Sequence, residues 1–158
     1  MVSKDTNPGM TKAGLKLDAF LPYRLSITSN LVSEAIARTY ETLFDLKIPE
    51  WRVIAVVAEH EGITQQQIGL ETRMDKVTVS RAAIALSRRG LLERLPNATD
   101  GRSHLLVLSA SGRALYAKVA PKALDLEAQI FARFDRAELA RFVETLRRID
   151  AIVLEEQA

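Results

Sequence analysis

The stretch Asp75–Leu108, "DKVTVSRAAIALSRRGLLERLPNATDGRSHLLVL", decides the fold. Asp75 is a favoured helix N-cap type, and Val79, Ala82, Ala83 and Leu86 follow at helical spacing. The spacing predicts a helix over 76–89 that Gly90 ends. Beyond the glycine, "LLERL" and "HLLVL" flank "PNATDGRS", the pattern of a two-stranded hairpin with a mobile tip. If Val79, Ala83 and Leu86 face inward, then Val77, Thr78, Arg81, Ala85 and Arg88 point outward. That outward face is slim at its start and basic along its length.

Upstream, Thr64 with Gln67 matches a capping box, so a short helix is expected over 65–71 with Ile68 as its inward anchor. The turn "TRM" then joins two short helices into a helix-turn-helix. Before it, "KIPEW" opens a helix, with Pro49 at its start and Glu50 complementing its dipole. Trp51, Ile54, Ala55 and Ala58 form that helix's stripe, and Gly62 is its stop. The first clear helix is expected over 22–44. Leu25, Thr28, Ser29, Val32, Ile36, Tyr40 and Leu43 fall near helical spacing there. Its first half is unusually polar, with Ser26, Ser29 and Asn30 along a face otherwise suited to burial.

Downstream, Ser109 caps a long helix whose apolar residues are Leu115, Val119, Leu124, Ile130 and Phe131. Pro121 should bend it or break it at Ala120. A last helix starts near Asp135, with Glu138 completing a charged cap. Leu139, Phe142, Val143, Leu146, Ile149 and Val153 repeat along it. The terminal helices are amphipathic, and the middle of the chain does not cover all their apolar faces. A second copy carrying the same helices would, which predicts a two-fold homodimer.

Bulk properties narrow the function. The 158 residues suit one domain, or one domain with an appendage, and 47% are hydrophobic, enough for a real core. The absence of cysteine removes disulfides, thiolate metal sites and thiol chemistry, and weakly favours a reducing compartment. The start "MVSKDTNPGMTKAGLKLDAF" lacks the apolar core of a signal peptide, and no run approaches the ~18 apolar residues of a membrane span. A cytoplasmic protein without membrane contact is expected. Over 73–102, seven basic residues face three acidic ones, whereas over 123–158 five face eight. A basic middle and an acidic tail suggest a polyanionic partner for the middle alone.

The helix over 76–89 can enter a B-form major groove about 12 Å wide. Arg81 can bond a guanine edge or a phosphate, Thr78 can offer a hydroxyl, and Val77 can touch a thymine methyl. Ser80 and Lys76 suit phosphate, as do Thr64, Gln65 and Gln66 at the preceding helix start. Arg102 at the hairpin tip can enter an adjacent narrow minor groove. In that reading Asp100 holds the guanidinium, Gly101 permits the turn, and His104 neighbours phosphate. His60 and His104 are the sole histidines, too few for a zinc site, so neither metal nor cofactor is expected. No carboxylate pair, nucleophile triad or phosphate loop marks an enzyme.

The run "MDKVTVSRAAIALSRRGLLERLPNATDGRSHLLVLSASG" resembles the winged helix-turn-helix of the MarR family of bacterial transcription regulators. Its Asp-x-Arg wing and "LLVLSASG" carry the likeness, and "IPEWRVIAVVAEHEG" resembles the helix before them. Ser109 stands where Thr is commoner in the family, and "PNATDGRS" is longer than usual, which bears on the wing's reach. The resemblance implies a mainly α fold with a two-stranded wing. The polar start reads as a flexible arm over 1–19, ahead of a single domain over 20–158. Within that domain, 48–109 is the DNA-binding module and 20–47 with 110–158 are the dimerisation helices. The resemblance further implies an obligate homodimer, usually a repressor, on a pseudo-palindromic operator in double-stranded DNA, released by a small anionic or aromatic effector. By matching position, Asp100 and Arg102 take the wing role, and Thr78, Ser80 and Arg81 the groove role.

A crevice lined by Tyr23, Ser26, Ser29, Asn30, Trp51 and Arg52 would suit an aromatic acid or its thioester. Packing of those polar groups in a dimer core fits the same residues. Trp51 also reads as a core aromatic, and Arg52 as a surface ion-pair member. The rival function is a winged-helix module that binds protein without sequence-specific DNA contact.

Overall fold

The computed structural model describes residues 14–158. The arm expected over 1–19 lies mostly outside the described residues; within them, Leu17–Ala19 form one 3-10 turn. Six α-helices and one hairpin follow among the described residues: α1 Leu21–Phe44, α2 Ile48–Ala58, α3 Gln65–Thr72, α4 Lys76–Arg88, β1 Leu92–Pro96, β2 His104–Leu108, α5 Ala110–Phe131 and α6 Arg136–Glu156.

Local chemistry sets most boundaries. Thr64 and Gln67 cap α3 reciprocally, the Thr64 N–H donating to Gln67 Oε1 (3.0 Å) and the Gln67 N–H to Thr64 Oγ1 (3.2 Å). Asp75, Ser109 and Asp135 accept the N–H of the third helical residue of α4, α5 and α6. Gly90 takes the left-handed conformation (φ 71°) that ends α4 and turns the chain into β1.

The strands pair antiparallel, from Leu92 opposite Leu108 to Pro96 opposite His104. Ile63, ahead of α3, adds a bridge to Leu106, with backbone bonds of 2.8 and 3.2 Å. Sequence periodicity gave no sign of this third edge, which ties the base of the wing to the start of α3.

The core gathers where α2, α3, α4 and the sheet meet, around Leu46, Val53, Ile54, Val57, Ile63, Ile68, Ala83, Leu86 and Leu106. All four expected inward residues of α4 are buried: Val79, Ala82, Ala83 and Leu86. The stripe expected on α2 is incomplete. Val53 and Val57 are buried while Trp51, Ala55 and Ala58 are half-buried, because α2 packs against α1, α3, α4, α5 and β2 at once.

Pro121 does not break α5 at Ala120; the helix runs unbroken from Ala110 to Phe131. The bond Pro121 cannot donate would have gone to the Ala117 carbonyl, and both residues are exposed, so water can satisfy that carbonyl. Leu43 and Leu124, assigned to inward stripes, are 56% and 65% exposed. No residue of α6 is buried. An apolar groove of about 550 Å³ lies between α1 and the α5–α6 turn, walled by Leu25, Val32, Phe131, Phe134, Phe142 and Leu146.

Candidate nucleic-acid interface

The helix-turn-helix presents its start to solvent. Arg73 closes α3 in the left-handed region (φ 58°), and Asp75 then caps α4. Asp75 Oδ1 accepts the Thr78 N–H (2.8 Å) and Oδ2 accepts the Thr78 hydroxyl (2.7 Å). Those two bonds, the backbone one first, hold the Asp75 carboxyl below its usual range. They also correct one expectation: the Thr78 hydroxyl hydrogen is engaged by the cap. What Thr78 retains for a groove is its methyl and an oxygen lone pair. Lys76, Val77, Arg81 and Arg88 are exposed along α4, and Ser80 is half-buried beside them.

The wing tip is built differently from the sequence reading. Asp100 Oδ1 accepts the backbone N–H of Arg102 (3.0 Å), and Oδ2 accepts the Ser103 hydroxyl (3.3 Å). Asn97 Nδ2 donates to the same hydroxyl (2.9 Å), and Asn97 Oδ1 accepts from the N–H and hydroxyl of Thr99. Asp100 therefore buckles the loop backbone. It makes no ion pair with the Arg102 guanidinium, which leaves that charge exposed at the tip. Gly101 adopts an ordinary φ and has open space around it, so the turn does not require glycine there.

A cleft of about 810 Å³ between the start of α3 and the wing brings together Thr64, Gln65, Gln66, Asp100, Arg102 and His104. It also contains Arg94, which the sequence reading passed over. The strand register places Arg94 two residues from Pro96, the partner of His104, so both side chains share one face of the hairpin. A second cleft, about 560 Å³ between α3 and α4, shares Gln65 and Gln66 with the first and adds Lys76. The two clefts form one face running from the wing to the start of α4. Val77, Thr78, Ser80 and Arg81 project from α4 and line neither cleft. Among the described residues, no group of histidine, aspartate and glutamate side chains is placed to hold a metal ion. No described helix is long and apolar enough to cross a membrane.

The six residues expected around a small ligand are not gathered within one chain. Tyr23, Ser26, Ser29 and Asn30 are exposed on the first turns of α1, and only Ser29 lines the apolar groove there. Trp51 lies at the other end of α1, edge-on to Tyr40 (5.6 Å) and stacked on Tyr116 (5.8 Å). Asn30 and Tyr40 are about 15 Å apart at the rise of a helix. Arg52 is exposed. The sequence reading sets Tyr40 at helical spacing along α1 but not beside Trp51, and it misses Tyr116; their approach to Trp51 joins α1, α2 and α5. Burial raises the Tyr40 hydroxyl pKa.

Comparison with known proteins converges on this architecture. The sequence profile of the MarR family matches residues 44–103. Transcriptional regulator HosA of Escherichia coli O157:H7 is 26% identical over 119 residues, 75% of this chain and 88% of that protein. The crystal structure of a MarR/EmrR family transcriptional regulator from Acinetobacter sp. ADP1 superposes with a TM-score of 0.83 at 23% identity, covering 89% of this chain and 99% of the other. CouR from Rhodococcus jostii RHA1, solved bound to p-coumaroyl-CoA, superposes at 0.75 and 19% identity, covering 86% and 95%.

Proposed function

We propose that the chain is a MarR-family transcriptional regulator, supported by the family profile over 44–103, the likeness to HosA and the shared fold, and that it is a homodimeric repressor reading a pseudo-palindromic operator. It is a regulator and not an enzyme. In this reading, 48–109 is the DNA-binding module, and 20–47 with 110–158 are the dimerisation helices. The one observation that carries DNA binding is the continuous face from the wing to the start of α4. Lys76, Arg81, Arg94 and Arg102 stand exposed on these elements, while Asp75 before α4 and Asp100 in the wing tip are engaged in local hydrogen bonds.

Arg81, Val77 and the Thr78 methyl are assigned to base edges in the major groove. Ser80, Lys76, Thr64, Gln65 and Gln66 are assigned to phosphates, and His104 with Arg94 to the backbone beside the wing. Arg102 is assigned to the adjacent minor groove, where a narrow A·T-rich stretch concentrates negative potential. Such a protein acts on the chromosome, and we place it in the cytoplasm.

The test is a salt titration of binding to duplexes selected from a random pool. Neutralised phosphates make log K fall linearly with log salt at about −0.9 per contact. A slope of about −4 or steeper fits this reading. Failure to select any duplex, or a slope near zero, would favour a protein-binding module.

Dimerisation is supported by the uncovered apolar face of α6 and the groove beside it. For the effector we propose an aromatic acid or its thioester. Support comes from the Tyr40–Trp51–Tyr116 cluster between body and reading module, and from the p-coumaroyl-CoA bound by CouR. Tyr23, Ser26, Ser29 and Asn30 would join Trp51 and Arg52 only if a second chain brings its own α1 start to this junction. A thermal-shift screen of aromatic acids and their coenzyme A thioesters, repeated with bound duplex, tests this. Stabilisation of the free protein with release of the duplex is expected; no shift with any of them removes the effector class.

A further inference from the structure

At its far end, α4 is bonded to the end of α1 by one side chain. Arg89 follows the last residue of α4 and reaches back to the end of α1. Its Nη1 donates to the Asp45 carbonyl (2.6 Å) and its Nη2 to the Phe44 carbonyl (3.3 Å). The end of α1 is prepared for such a partner. Asp45 is in the left-handed region (φ 51°, ψ 43°), and its N–H, with that of Leu46, satisfies the carbonyls of Tyr40 and Glu41. The carbonyls of Phe44 and Asp45 remain at the negative end of the helix dipole, where a forked cation makes charge-assisted bonds.

On its other side, the segment after α4 is held by the start of α5. The Ser109 hydroxyl donates to the Gly90 carbonyl (2.6 Å), and the Ser109 N–H to that of Leu91 (3.0 Å). The C-terminal end of α4 is thus bonded to the end of α1 and, through Gly90 and Leu91, to the start of α5, while Lys76, Val77 and Arg81 stand exposed at the other end. A helix of this length is about 20 Å long. A tilt of about 10° at the tied end would move its leading residues by about 3.5 Å, close to the ~3.4 Å rise of one base pair.

We propose that Arg89 is a positioning residue that fixes the angle of α4 to α1 and so sets the half-site spacing the protein accepts. This rests on the reading that two chains bind two half-sites. Arg89 touches no DNA in this account, so its loss should change spacing tolerance and leave the contact at each half-site intact.

The experiment uses the full chain and duplexes that the wild type selects from a random pool. Each is then rebuilt with half-sites one base pair closer, one base pair farther, or with one half-site removed, and affinities are read by fluorescence anisotropy. The wild type should lose at least tenfold in affinity for either altered spacing. Arg89→Ala should lose less than threefold, with single-half-site affinity within twofold of wild type. Arg89→Lys keeps the charge without the planar fork and should give an intermediate penalty. If Arg89→Ala does not fold, an unchanged spacing penalty in Arg89→Lys overturns the inference. A wild-type penalty retained in a folded Arg89→Ala, or a matching loss at the single half-site, also overturns it while DNA binding stands. A wild type that selects no duplex overturns the DNA-binding reading as well.

Discussion

Gly112 has no room for a side chain: a Cβ there would collide with the backbone carbonyl of Leu91, which cannot swing aside as a side chain would. Gly112→Ala should therefore destabilise the fold by about 2–3 kcal/mol, read as a lower urea midpoint. Asp75 offers a test by pH. Its folded-state pKa is lowered by the bonds from Thr78, so its contribution is present at neutral pH and above its unfolded pKa. It is lost as pH falls through the lowered folded value. Wild type should lose more stability than Asp75→Asn on acidification below the usual carboxylate range; parallel curves would contradict the cap's role. At the interface, Arg81→Ala should relax preference at one base pair by about 1–3 kcal/mol. A loss equal on all duplexes would reassign Arg81 to phosphate.

The elements differ in how far the chain alone discloses them. The caps at Thr64, Asp75, Ser109 and Asp135 were legible because donor and acceptor lie three residues apart. The hairpin was legible from alternation and turn residues, though Asp100 was given the wrong partner: its nearby N–H and hydroxyl donors outcompete a long, solvated guanidinium. The Ile63–Leu106 bridge and the Arg89 tie join residues more than 40 apart, and no local pattern announces them. The ligand set was drawn from polar residues on α1 that one chain does not bring to Trp51. Pro121 was read as a breaker because propensity ignores that its carbonyl partner faces water. Since that helix is intact, Pro121→Ala should restore one bond and raise stability by about 1–3 kcal/mol, seen in chemical denaturation. For the wing, Arg102→Ala should flatten the salt dependence of DNA binding by about one unit.

At the scale of the whole molecule, apolar area is left over where the chain ends. Phe142, Val143 and Val153 are between 42% and 48% exposed on α6, beside the groove against α1. A second copy using the same helices would cover them and hold two reading heads in fixed relation. Sedimentation should give twice the 17.6 kDa chain mass, and Phe142→Glu should shift the protein toward monomer and lower its DNA affinity. The most direct measurement of the central claim is hydroxyl-radical footprinting on a selected duplex. Two protected patches about 34 Å apart, one turn of duplex, are expected, each flanked by a minor-groove protection that Arg102→Ala removes. A single patch, or cleavage as uniform as on free DNA, would contradict it.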